Sequence, residues 1–198
     1  MRLSKSGLEL IMQHEGFRPA PYLDAAGLRT IGYGHKLLPG EAFPMGVTQD
    51  EAASLLAREA DTAAQAVARY VSAPLTQGQF DALVDFVYNL GATRFAASTL
   101  LRELNDGNLG AAALEFLKWD HCGGAENSGL KARREAEMRL FLQSDPANGP
   151  LPKNSPRLVP ARFSRAGVPL PPAAPRPSGS PCGGTSPPWR AGAGPEAP

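Results

Sequence analysis

Apolar residues recur at helical spacing near the N-terminus. Leu8, Ile11 and Met12 share one face, and residues 6–9 have the Ser-x-x-Glu pattern of a capping box. The pattern predicts a short first helix that ends at about Glu15.

Longer apolar stripes follow in the middle of the chain. Residues 48–51 form a second capping box, which opens a long amphipathic helix to about Tyr70. Residues 76–79 form a third, before an apolar helix that stops at Gly91. Shorter helices are predicted from Ser98, Asn108 and Gly129, with a loop over residues 119–124.

Between the first two helices the pattern changes to that of strands. Pro19 and Pro21 forbid a continued helix and favour extended chain. Residues 22–24, 25–27 and 28–34 predict a strand, a turn and a second strand. The fold class is therefore α+β, mostly helical, with a small N-terminal β-hairpin.

Gly32 and Gly34 alternate on one face of the second predicted strand. Their missing side chains leave room for a ligand or another backbone, and a bulge without a ligand is the alternative. Because two carboxylates lie nearby in the sequence, we favour a ligand.

Two carboxylates and a hydroxyl stand around this hairpin: Glu15 ends the first helix, Asp24 precedes the turn and Thr30 follows it. Taken singly, they are an ordinary helix-end charge, a turn former and a strand residue. Taken together, they can hold two carboxyl groups across a cleft. Cleavage of a glycosidic bond needs one carboxyl group to protonate the leaving oxygen and another to activate water or attack the sugar.

The same stretch carries an ordered pattern, E-G-x-R-x-x-x-Y-x-D-x-x-G-x-x-T-x-G-x-G-H, over residues 15–35. Two later blocks accompany it, residues 79–91 and a W…GG…GLxxRRxxE block over residues 119–137. Together they resemble the phage-type lysozymes, the endolysins of glycoside hydrolase family 24.

The resemblance implies a two-lobed lysozyme-like fold, in which a long helix links the small hairpin lobe to a helical C-terminal lobe. It implies hydrolysis of the β-1,4 bond between N-acetylmuramic acid and N-acetylglucosamine in peptidoglycan, for host lysis at the end of phage infection or from a prophage. Glu15, Asp24 and Thr30 are carried over as catalytic residues, and Arg133 as a residue that reaches towards Glu15. Further expected substrate-binding or supporting positions are Gly32, Gly34, His35 and Leu37.

Two points of the expected mechanism stay open: the pKa of Glu15 and whether the reaction inverts or retains the configuration of the sugar. Burial would raise the pKa of Glu15, the expected general acid, whereas contact with Arg133 would lower it. If Asp24 activates a water oriented by Thr30, the reaction inverts and the carboxyl groups lie about 6.5–9.5 Å apart; direct attack retains and needs about 5–5.5 Å. The resemblance favours inversion. At one place the sequence departs from the family, because His121 and Cys122 stand where a small residue is common before the Gly pair.

Composition adds expectations about partners. A net charge of +1 gives no field for nucleic acid. His14, His35 and His121 are isolated, so we predict no metal and no cofactor. We expect a monomer without a membrane span or secretory signal, which waits in the cytoplasm until a separate membrane-permeabilising protein, a holin, gives access to the wall. Cys122 lies in the predicted globular part and Cys182 in the predicted tail, so they form no disulfide framework, and whether they ever meet stays open.

The last 54 residues differ from the rest. Residues 145–198 hold 15 of the 20 prolines, with six basic and two acidic side chains. They predict a disordered, partly polyproline II tail beside a catalytic domain of residues 1–144. The tail could hold the protein near an anionic wall, dock a proline-recognition domain, or have no catalytic importance.

Three other functions stay open at this point: a non-catalytic peptidoglycan-binding module, a chitin-active or transglycosylating relative, and an interaction protein that works through its tail. Intact Glu15, Asp24 and Thr30 weigh against the first, and the Asp-Thr pair weighs against a transglycosylase.

Overall fold

The computed structural model describes residues 1–24 and 27–143. The predicted tail and Cys182 lie outside this range, so the division into a catalytic domain and a tail stays a prediction. Every helix in the described part is too short or too polar to cross a bilayer.

The described residues are mostly helical, as predicted. Thr48 and Thr76 both make complete capping boxes, which confirms these two helix starts. The first helix is capped by Ser4, which accepts from the Gly7 N–H, so the predicted capping box at residues 6–9 is wrong. The helices are α1 (Lys5–Glu15), α2 (Gln49–Tyr70), α3 (Gln77–Leu90), α4 (Ala92–Ala96), α5 (Thr99–Asn105), α6 (Leu109–Phe116), a 3₁₀ turn (Leu117–Trp119) and α7 (Ser128–Leu142).

The N-terminal sheet has three antiparallel strands in the order β1 (Arg18–Leu23), β2 (Arg29–Gly32), β3 (His35–Lys36). The predicted second strand therefore ends early, and residues 33–34 form a turn to β3. The prolines of β1 lie on an edge strand, where a missing N–H donor is tolerated.

A second small sheet stands where a loop was predicted. Strands β4 (His121–Cys122) and β5 (Ala125–Glu126) pair antiparallel across Gly123 and Gly124. Both glycines have positive φ, as a two-residue hairpin turn requires.

Helix α3 is the centre of the fold. It is buried on all sides from Gln79 to Tyr88 and packs against α1, α2 and α7. Phe86 on this helix makes edge-to-face contacts with Phe95, Phe116 and Trp119. Helix α2, 22 residues and about 33 Å long, packs against both the β-sheet and α3, so it links the two parts.

Candidate active site

Glu15 is the last residue of α1, where the chain turns towards the sheet. The helix ends there because Gly16 has a φ of +72° while its N–H donates to the Met12 carbonyl. The Glu15 side chain is only 6% exposed. Its Oε2 faces Gly34, where a Cβ atom would lie 3.9 Å away. The helix end thus places this carboxyl group inside the protein, beside the β2–β3 turn.

The environment of Glu15 favours its protonated form. Burial raises its pKa above the usual value, and Arg133 opposes this increase because its Nη1 donates to Glu15 Oε1 at 2.8 Å. Asp85 and Glu59 add smaller upward effects. Because the net shift is upward, burial outweighs the guanidinium, and Glu15 keeps its proton to a higher pH than an exposed glutamate does.

Asp24 and Thr30 are held by the backbone of Leu28. The Leu28 N–H donates to Asp24 Oδ1 at 2.9 Å, and the Leu28 carbonyl accepts from Thr30 Oγ1 at 3.1 Å. The Asp24 side chain is 3% exposed, with Lys36 Nζ at 3.9 Å from its Oδ2, and Thr30 is 1% exposed. The hairpin therefore brings the second carboxylate and the hydroxyl to one turn with fixed orientations.

Arg133 lies at the centre of a buried cluster of charges between α1, α3 and α7. Its Nε donates to Asp85 Oδ1 at 3.1 Å, and its Nη2 donates to the same oxygen. Glu137 Oε1 lies 3.6 Å from Arg133 Nε. Burial alone would lower the pKa of Arg133, but Asp85, Glu15 and Glu137 more than offset it and raise the pKa. Arg133 therefore stays charged.

The adjacent Arg134 is also buried, contrary to the common pattern in which paired arginines form a solvated face. Its Nη1 lies 3.1 Å from Glu137 Oε2, its Nη2 donates to Asn89, and its guanidinium lies 5.0 Å from the centre of the Phe86 ring. Burial raises the pKa of Glu137 well above its usual range, with Arg134 opposing. Arg134 and Glu137 thus form a fully buried ion pair beside Arg133.

His35 joins three parts of the structure. Its Nδ1 lies 2.6 Å from Glu59 Oε1 on α2, and its Nε2 lies 2.8 Å from Glu41 Oε2 in the loop after β3. Tyr88 on α3 donates to Glu59 Oε2 at 3.3 Å. His35 therefore links β3 to α2 and to the loop after β3, and its supporting role at the site stays a prediction. Within residues 1–24 and 27–143, no group of three His, Cys, Asp or Glu side chains could hold a metal ion.

The remaining predicted positions divide between the site and the core. Gly34 faces Glu15, but at Gly32 a Cβ atom would lie 2.8 Å from Ala52 Cβ. Helix α2 therefore packs closely against Gly32, and the role of Gly32 as a substrate-binding position stays a prediction. Leu37 packs against the core, and its N–H donates to the Arg29 carbonyl.

Sequence reasoning missed Asp85, Glu137 and Glu59 as members of the site. Asp85 carried a usable signal, because it is a carboxylate in the otherwise apolar run of α3. A buried carboxylate needs a partner, and this requirement points to an arginine elsewhere in the chain. Glu59 and Glu137 stand among other charged residues and gave no such signal.

The chain is similar in sequence to known phage endolysins. The chain is 40% identical over 151 residues to the endolysin of Bacillus phage B103, a match that covers 75% of this chain and 57% of that relative. It is 37% identical over 145 residues to the endolysin of Salmonella phage P22, covering 72% of this chain and 99% of that protein.

Solved structures show the same fold. A variant of P22 lysozyme is 36% identical and superposes with a TM-score of 0.67, covering 72% of this chain and 99% of that one. The muramidase domain of SpmX from Asticaccaulis excentricus is 35% identical, with a TM-score of 0.66 and the same coverage. The family model described as Phage lysozyme matches residues 12–137. The chain therefore belongs to the phage lysozyme family.

Proposed function

We propose that this chain is an endolysin, a lysozyme that hydrolyses the β-1,4 bond between N-acetylmuramic acid and N-acetylglucosamine in peptidoglycan, with Glu15 as its general acid. The single observation that carries the role of Glu15 is its buried carboxyl group at a helix end, whose pKa is raised by burial despite the Arg133 contact. A general acid must hold its proton at the working pH, and burial is the usual way to achieve this.

Asp24 acts as the general base on the other side of the reacting bond, and Thr30 orients the water that it activates. The Thr30 hydroxyl donates its hydrogen bond to the Leu28 carbonyl, so its lone pairs can accept a hydrogen bond from a water. The Leu28 N–H fixes the orientation of the Asp24 carboxyl group by donating to its Oδ1. Water attack from the face opposite the leaving group inverts the anomeric carbon.

The biological role that fits is lysis of the bacterial host from within, at the end of phage infection or from a prophage. The phage endolysins among the relatives support this role. In this scheme the protein stays in the cytoplasm until a holin lets it reach the wall.

The experiment is the loss of turbidity of purified cell walls, with the intact protein compared with Glu15→Gln. The substitution keeps the shape and removes the titratable proton, so the rate should fall about 10²–10⁴-fold. Glu9→Gln is the matched control, because Glu9 lies on the same helix and is exposed. Its contact with Lys5 is long, with 3.9 Å between Oε1 and Nζ. Undiminished clearing by Glu15→Gln would show that Glu15 is not the acid.

Product analysis tests the remaining steps. A reducing sugar end indicates hydrolysis, whereas an anhydro sugar indicates transglycosylation. NMR of the first product formed distinguishes inversion from retention. Retention would mean that Asp24 attacks the sugar directly and that no water is activated in that step.

A further inference from the structure

All three nitrogens of the Arg133 guanidinium donate to carboxylates, and more of them donate to Asp85 than to Glu15. Nε and Nη2 both donate to one oxygen of Asp85, whereas Nη1 alone donates to Glu15. Asp85 is fully buried on α3, the central helix, and belongs neither to the hairpin nor to α1. The guanidinium is therefore anchored on its Asp85 side, and Glu15 receives the remaining donor.

We propose that Asp85 is a positioning residue for Glu15, which holds the Arg133 guanidinium in place and balances its charge. The inference rests on the proposed role of Glu15 as the acid. Asp85 does not reach the substrate; it acts through Arg133. Because two of its N–H groups are held on one side, the planar guanidinium has a fixed orientation. Its third nitrogen can therefore donate a hydrogen bond to Glu15 from one direction only.

The charge balance matters as much as the geometry. A buried Arg133 without a carboxylate partner would be neutralised by the nearest remaining carboxyl group, which is Glu15 at 2.8 Å. Glu15 would then be held in its ionised form, which cannot protonate the leaving oxygen. Asp85 prevents this by supplying the negative charge itself, and its own charge favours the protonated form of Glu15.

The other charged groups around Glu15 keep their side chains when Asp85 is replaced. They come from each element packed around the α1 end: Arg133, Arg134 and Glu137 on α7, Glu59 on α2, Tyr22 on β1 and His14 on α1 itself. Glu59 lies in its own pair with His35. A shift in the behaviour of Glu15 after substitution therefore reports the loss of the Asp85 charge, acting through Arg133 and through Glu137, whose pKa Asp85 also raises.

The test is the pH dependence of the initial rate of wall clearing, at low substrate, for the intact protein and for Asp85→Asn. The alkaline limb, where the acid loses its proton, should move to lower pH, so that the rate on that limb falls about tenfold while the rate at acid pH changes little. Asp81→Asn is the matched control. Asp81 lies one turn earlier on α3 and is also buried, but its partners are Ser4 and Gln77. It should lower thermal stability and leave the limb in place.

An alkaline limb of Asp85→Asn at the wild-type position, or at higher pH, overturns the proposal. If this variant does not fold, Asp85→Glu replaces it, since it keeps the charge and displaces the carboxylate by one methylene. The rate constant kcat should then fall about 10–100-fold with KM and the limb unchanged, and an unchanged kcat overturns the proposal. Glu15→Gln is run beside these variants. If it still clears walls, the proposed function of Glu15 has failed; if it does not, a result against Asp85 concerns this inference alone.

Discussion

Replacing His35 with Gln should remove a contribution to stability that depends on pH. His35 is buried between two carboxylates, Glu59 and Glu41. The hydrogen bond to Glu59 raises the pKa of His35, burial opposes this, and the hydrogen bond to Glu41 raises it again. Glutamine can still donate a hydrogen bond, but it cannot carry the positive charge.

The magnitude follows from the two contacts. A hydrogen bond between charged groups contributes about 1.5–3 kcal/mol to stability. The Glu59 pair is buried and belongs at the upper end, whereas the Glu41 side chain is partly exposed and its pair belongs at the lower end because solvent screens it. With both charges present, His35→Gln should therefore lower the free energy of unfolding by about 2–4 kcal/mol.

The sign of the pH dependence is fixed by the direction of the pKa shift. Below about pH 6.5, the ordinary value for His, both the folded and unfolded states hold the proton and the stabilisation is complete. As the pH rises towards the raised pKa, the unfolded state loses its proton first, so the stabilisation declines. The difference between intact protein and His35→Gln should thus be largest at acid pH and smaller above the raised pKa of His35.

Urea unfolding at about pH 5.5 and about pH 8.5 measures this difference on both sides of the ordinary His value. His121→Gln is the control, because His121 is exposed and pairs with its sequence neighbour Asp120. It should change stability little at either pH. An equal loss for His35→Gln at both pH values would refute the reasoning, since it would mean that the charge of His35 contributes nothing.

Two further changes test the packing and the domain boundary. Gly32→Ala should lower the free energy of unfolding in urea by about 2–4 kcal/mol, because φ is +64° and the new Cβ would lie 2.8 Å from Ala52 Cβ. Gly40→Ala is the control: φ is +83° but the space is open, so only the backbone strain of about 1–2 kcal/mol is expected. Equal costs would contradict a packing role for Gly32. Truncation after Gln143 should leave wall clearing unchanged, since every residue of the proposed site precedes it; lost clearing by a folded truncated protein would assign the tail a part in catalysis.

Helix starts could be read from the sequence where the capping contact is local. The boxes at Thr48 and Thr76 each join residues three apart, so the pattern contains the whole interaction. At α1 the pattern pointed to Ser6, but Ser4 caps the helix. Ser4 is fixed by Asp81, which accepts from both its N–H and its hydroxyl across 77 residues, and a local pattern does not contain that contact.

The same distinction between local and long-range contacts applies to the residues of the site. Glu15, Asp24 and Thr30 lie within one short stretch, and the helix end and turn that present them have local signals. The charge cluster joins Arg133 to Asp85 across 48 residues and to Glu15 across 118. For Arg133 only the family resemblance suggested the contact with Glu15. For Asp85 its apolar surroundings in the sequence indicated a basic partner, but no local pattern indicated which one. Two carboxylates that share one arginine are brought together by the packing of α1 and α7 on α3.

This packing explains how a short helix can hold a catalytic group in place. Helix α1 is tied to α3 at both ends: Ser4 at its start donates to Asp81, and Glu15 at its end is joined to Asp85 through Arg133. Between them Gly7 permits close contact, since a Cβ there would lie 2.7 Å from the carboxyl carbon of Asp81. Asp81 and Asp85 are four residues apart and share one face of α3. One face of one buried helix therefore sets both the position of α1 and the electrostatic environment of Glu15, so a shift of α3 would move the proposed acid and alter its protonation together.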